Sequence, residues 1–221
     1  MIRHRPRTGT LVAVLAALLW GPAAHAVSTL DQAFEGPFDI FAPNGALYRA
    51  QTFTVGLSGL LTRFEVPMRG SPGGGTSDFE IWSTSGGVPE AIPGTTLAAG
   101  TVSFGDGQAW VGADISASGL NVTAGDVLAL VQIGGSSTGS GDWAGTEGGG
   151  YTGGVGFSTF FTDPSGAWHD ELAQPGGVDD LGFRTFVDPD AVAAIPEPAT
   201  VVLMGLGLVG LGVAGRRRLV S

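Results

Sequence analysis

Apolar side chains recur at every second position through the middle of the chain, and that alternation predicts strands. In Arg63-Phe-Glu-Val-Pro-Met-Arg69, Phe64, Val66 and Met68 fall on one face and Arg63, Glu65 and Arg69 on the other. Asp78-Phe-Glu-Ile-Trp82 repeats the pattern, with Phe79 and Ile81 facing in and Trp82 on the polar phase. Thr101-Val-Ser-Phe104 and Gln108-Ala-Trp-Val111 flank Gly-Asp-Gly, a sequence suited to a tight hairpin turn. Trp110 again sits on the polar phase, opposite Val111. Asp126-Val-Leu-Ala-Leu-Val-Gln-Ile133 is apolar on both phases, as a strand covered on both sides must be. Residues 157–161 and 167–169 flank a further turn, Asp163-Pro-Ser-Gly166, and Leu181-Gly-Phe-Arg-Thr-Phe-Val187 makes a closing strand. About eight or nine short strands between turns, with no amphipathic helix among them, predict an all-β fold: an antiparallel two-sheet sandwich over residues 47–187. Residues 27–46 are expected as a lead-in and 188–195 as a short stalk. The low-complexity segment 134–154, GGSSTGSGDWAGTEGGGYTGG, is expected as a long flexible loop.

The two ends have a different pattern. Near the N-terminus a basic region (Arg3, Arg5, Arg7) leads into ten apolar residues, 11–20, broken by Gly21-Pro22. Ala24-His-Ala26 then supplies the small-x-small pattern of a cleavage site, so residues 1–26 are expected to be a secretory signal peptide. The apolar run is too short to cross a bilayer as an anchor. Near the C-terminus, residues 199–215 are uncharged and almost wholly apolar, and as a helix they would reach about 25 Å. This is expected to be one C-terminal transmembrane helix. Arg216, Arg217 and Arg218 follow at once, and the positive-inside rule keeps them cytoplasmic and the preceding domain outside.

Charge follows the same division. The chain has ten basic residues, all arginine, six of them at the two ends. Twenty acids lie between Asp31 and Glu197 against only four arginines there (Arg49, Arg63, Arg69, Arg184), which leaves the middle at −16. Such a domain offers no positive field for phosphates, so no nucleic-acid partner is expected. With no cysteine, neither a disulfide framework nor a thiolate metal site is available.

Between the domain and the apolar tail stands Ile195-Pro-Glu-Pro198. Pro196-Glu197-Pro198, a Leu/Gly/Val-rich helix and an arginine cluster, in that order, closely resemble the PEP-CTERM sorting signal of Gram-negative bacteria. The resemblance implies that exosortase, a membrane cysteine transpeptidase, processes the tail of an exported protein, and that the partners before processing are exosortase, the secretion machinery and the membrane. It also implies a destination in the envelope or an extracellular polysaccharide matrix. A second resemblance rests on Ala50-Gln-Thr-Phe-Thr-Val-Gly56, Thr84-Ser-Gly-Gly-Val-Pro89, Asn121-Val-Thr-Ala-Gly-Asp-Val127 and Phe183-Arg-Thr-Phe-Val187. These look like the strand and turn signatures of bacterial choice-of-anchor surface domains, and imply that the sandwich is jelly-roll-like.

The residues that could carry chemistry are few. His169 is the one histidine downstream of the signal peptide, which leaves no two-histidine zinc site in a single processed chain. Gly135-Ser-Ser-Thr-Gly139 spells the nucleophile motif G-x-S-x-G, with Ser137 at its centre, but lacks the strand-to-helix elbow that would expose the serine. Gly205, Gly207 and Gly210 spell G-x-G-x-x-G without the following strand and acid that a dinucleotide site needs. Asp179 and Asp180 are the best candidates for a calcium ion in an acidic secreted sandwich. Trp82, Trp110 and Trp143 are the candidates for stacking on a sugar ring. No cofactor and no enzymatic activity are expected. The expected function is that of a sorted, non-enzymatic envelope or matrix protein, with a carbohydrate-binding module acting on exopolysaccharide as the alternative.

Overall fold

The alternation of apolar and polar positions becomes two antiparallel sheets packed face to face. The computed structural model describes residues 28–43, 47–160, 166–170 and 179–189. The first sheet is built from β1 (Thr29–Phe34), β2 (Ile40–Pro43), β4 (Gly59–Gly70), β8 (Gly107–Asp114), β9 (Asn121–Val122), β11 (Gly141–Thr146), β14 (Asp180–Leu181) and β15 (Phe183–Asp188). The second contains β3 (Leu47–Thr54), β5 (Gly75–Ser85), β6 (Val88–Pro89), β7 (Thr96–Phe104), β10 (Val127–Gln132), β12 (Gly156–Phe160) and β13 (His169–Asp170). β4 is the spine of the first sheet. Residues 60–65 pair with β15 and 68–70 with β11 along one edge; β9 and β8 pair along the other. In the second sheet β10 lies between β3 and β5; Leu128 and Leu130 face the main core while Ala129 and Val131 pack with Ala50, Trp82 and Phe157 on the other face, so both phases are apolar.

Phe64, Val66 and Met68 point inward and are fully buried, as the alternation requires, and so are Phe79 and Ile81. The core is rich in rings: Phe64 meets Phe79 at 5.8 Å between centroids, Phe53 meets Phe183 at 5.6 Å, and Tyr151 stands edge-on to Phe183 at 5.1 Å. Each such pair adds about 0.5–1.5 kcal/mol beyond its buried area.

Four sequence expectations change. Residues 27–46, expected as a lead-in, supply two strands of the first sheet, so the sandwich begins at Thr29 rather than at residue 47. β1 pairs with β15 from Thr29↔Val187 to Phe34↔Phe183, and β2 pairs with β11. β1 covers the sheet while remaining half-exposed, so its apolar signal is weak. Segment 134–154, expected as a flexible loop, contains β11, which lies between β4 and β14 and carries a fully buried tryptophan. Its glycines reflect packing: a Cβ on Gly141 would stand 2.5 Å from the Phe104 ring. Strand β15 runs on to Asp188, which is buried, so the stalk starts one residue later. Fifteen strands are present among the described residues against the eight or nine expected, several of them two-residue ladders that no periodicity can signal.

Candidate functional site

The segments expected to direct export lie outside the described residues: Ala24 and Ala26 at the N-terminus, and Pro196, Glu197, Pro198, the apolar run 199–215 and Arg216, Arg217 and Arg218 at the C-terminus. Among the described residues no helix is long and apolar enough to cross a membrane. What the fold determines is where the chain leaves for that tail. In β15, Val187 is opposite both Thr29 and Leu61, and Asp188 is opposite Leu60. The first and last strands among the described residues therefore lie side by side, and Thr29 and Asp188 stand at one end of the sandwich.

The three candidate tryptophans are not brought together. Trp143 is on the inner face of β11 and fully buried, edge-on to Phe79 at 5.0 Å, with its Nε1–H donating to the Gly182 carbonyl at 2.7 Å. Trp82 keeps the outer phase that its strand dictates, yet only 2% of it is exposed. Tyr48, Trp168 and the backbone at Gly94 close over it, and its Nε1–H donates to Glu80 at 2.6 Å. Neither ring has a face free for a sugar, which corrects their candidacy. The reason is size: an indole gains more by burial than a sheet surface can offer it.

Trp110 stands apart. It is half-buried on the outer face of the first sheet, with Phe38 edge-on at 5.9 Å and the Arg184 guanidinium 4.0 Å from its ring centre. Arg184 also donates to Glu35 at 2.7 Å and to Glu65 at 3.1 Å. The same arrangement recurs twice on this face. Arg63 lies over Phe186 at 4.1 Å and pairs with Glu65 at 3.1 Å; Arg69 lies over Phe41 at 3.6 Å and pairs with Asp142 at 2.5 Å. Exposed stacks of this kind contribute about 0.5–1 kcal/mol each, and exposed ion pairs about 0–1. The sequence placed Arg63, Glu65 and Arg69 on one outward phase, but not their rings, which come from strands distant in the chain. Chemically, the face presents fixed donors, acceptors and ring surface.

The acidic pair has a structural task. Asp180 Oδ2 accepts the backbone N–H groups of Gly150 and Tyr151 at 2.8 and 2.9 Å, and its Oδ1 accepts from Gln51 Nε2 at 3.2 Å. Asp179 accepts from the Gly148 N–H. Gln51, fully buried in the second sheet, accepts the Leu181 N–H at 2.7 Å and so ties β3 to β14 across the core. These carboxylates, the candidates for a calcium ion, hold the 147–151 turn. Burial pushes the Asp180 pKa up despite these hydrogen bonds, and the same holds for Asp31, which accepts from Leu57 and Gly56. Burial likewise pushes the Tyr151 hydroxyl up to about 12. Among the described residues no three His, Asp or Glu side chains are grouped as a metal would require.

Ser137 and His169 are also separated. The Ser137 hydroxyl donates to Ser77 Oγ on β5 at 2.9 Å, whereas His169 lies on β13, four strand steps away in the order β13-β12-β3-β10-β5. Four steps amount to about 19 Å.

Residues 194–218 match the PEP-CTERM protein-sorting motif. No curated protein matches the chain.

Proposed function

We propose that this chain is a non-enzymatic protein of the Gram-negative cell envelope or its extracellular polysaccharide matrix. The motif at 194–218 implies exosortase-dependent sorting of an exported protein, and it is the observation that carries the reading. The domain supports it in kind. Asp179, Asp180 and Gln51 are engaged in holding turns and sheets together, and the G-x-S-x-G serine, Ser137, lies between β10 and β11 against β5, four strand steps from His169 on β13. Deleting residues 196–221 is expected to abolish both tail processing and surface retention, read by the mass of the mature protein and by cell fractionation. Unchanged processing and retention would overturn the proposal.

One observation favours a second reading, in which the sandwich binds exopolysaccharide directly. Trp110, flanked by Arg184, Glu65 and Glu35, is the candidate tryptophan that remains half-exposed on a sheet face. In this reading Trp110→Ala lowers binding to the producer's own polysaccharide at least tenfold, a loss of about 1.4 kcal/mol, while Trp82 and Trp143 act through stability alone. Binding that survives Trp110→Ala would remove the site.

A further inference from the structure

The geometry points to an end-on orientation: while the tail is held in the bilayer, the end of the sandwich formed by Thr29, Asp188, Ser58 and Asn121 abuts the lipid surface, and the opposite end points outward. This inference rests on the membrane-held tail that the sorting motif implies.

Two independent observations support it. The first is a comparison of lengths. Strand β4 runs the full height of the sandwich, from Gly59 beside Asp188 to Gly70 beside Gly105, and its twelve residues span about 40 Å. From Asp188 to Pro196 there are eight residues, which reach at most about 29 Å in any conformation. A sandwich with its far end on the membrane would leave Pro196 short of it. The second is the placement of apolar surface. Among the described residues two large hydrophobic side chains are exposed, Leu30 at 48% and Val88 at 40%. Leu30 is opposite Phe186, two residues before the end of β15 at Asp188, and Val88 is opposite Ser85, past Thr84, whose hydroxyl donates to the Val127 carbonyl. Both stand at the end where the chain exits. The far end is formed by 71–74, 105–107 and 133–140, rich in Gly, Ser and Thr, and stitched by Ser71 N–H to the Ser140 carbonyl and by reciprocal Thr76–Thr138 bonds.

The absence of cysteine makes single labels unambiguous. Asn121→Cys marks the near end and Asp106→Cys the far end; Ser58→Cys and Ser103→Cys form a second pair should either of the first disturb folding. The full chain carrying a nitroxide at one of these positions is reconstituted into phosphatidylcholine vesicles containing a nickel-chelating lipid, and its flotation and spin relaxation are measured. The expected result is flotation with strong relaxation by the lipid-bound nickel at Asn121 and Ser58, and its loss at Asp106 and Ser103. Equal relaxation at both ends would mean that the sandwich lies on its side, and reversed relaxation that it is inverted; either overturns the inference. A chain that fails to float would overturn the membrane-held tail itself, and the orientation with it.

Discussion

Replacing Trp143 with Ala removes an indole buried among Phe79 and the rest of the core, and leaves the Gly182 carbonyl without its donor. The expected loss is about 3–5 kcal/mol, read from urea unfolding midpoints. Trp82→Ala, beneath its loop on the outer face, should cost less, because the 90–95 segment can settle into part of the space. The sequence could not rank these two residues, since Trp143 is surrounded by glycines that hide any period. Asp180 gives a test of sign. Its pKa is raised in the fold by burial above the ordinary value of 3.8. The fold therefore favours the protonated carboxyl, and the stability this adds is complete below 3.8 and lost as pH rises through the folded value. The difference in unfolding free energy between the native chain and Asp180→Asn should grow in favour of the native chain as pH falls from neutrality toward 4. A difference that stayed flat or shrank would contradict the burial of this carboxyl.

At the scale of elements, the strands most directly legible in advance were those with strict alternation or continuous apolar character, β4, β5 and β10, because burial on one or both faces leaves a direct mark on composition. β1, β2 and β11 left none. β1 is half-exposed, β2 has four residues, and β11 takes glycine where Phe104 needs room. Their contribution is testable by truncation. A chain beginning at residue 47 lacks the strands that pair with β15 and β11, and should lose cooperative thermal unfolding, whereas one beginning at Ser28 should retain it. Exchanging residues 141–146 for a Gly/Ser linker of equal length should have the same effect as the truncation, since the linker supplies no inward ring. The candidate site was legible to the same uneven degree. Pro-Glu-Pro, the apolar run and the arginines are contiguous and could be read directly. The stacks of Arg63, Arg69 and Arg184 on Phe186, Phe41 and Trp110 depend on register between distant strands, which composition does not encode.

At the scale of the whole molecule, the link between sandwich and sorting motif is short enough to matter. Deleting residues 189–193 brings Pro196 within about 11 Å of Asp188. The folded domain then crowds the membrane surface, and tail processing should fall sharply; five Gly/Ser residues in the same place should restore it. Cleavage measured by intact mass would separate this from misfolding, provided the thermal unfolding of the shortened chain is unchanged. The position of β15 has one more consequence, and it concerns time. The last strand among the described residues is not an edge: it lies between β1 and β4. The sheet cannot close until residues 183–188 have been delivered, and closing it joins segments more than 150 residues apart, as in Thr29↔Val187. Such long-range pairing is slow. A chain exported from its N-terminus must therefore cross the membrane with this sheet open, and its folding finishes only as the sorting tail itself arrives.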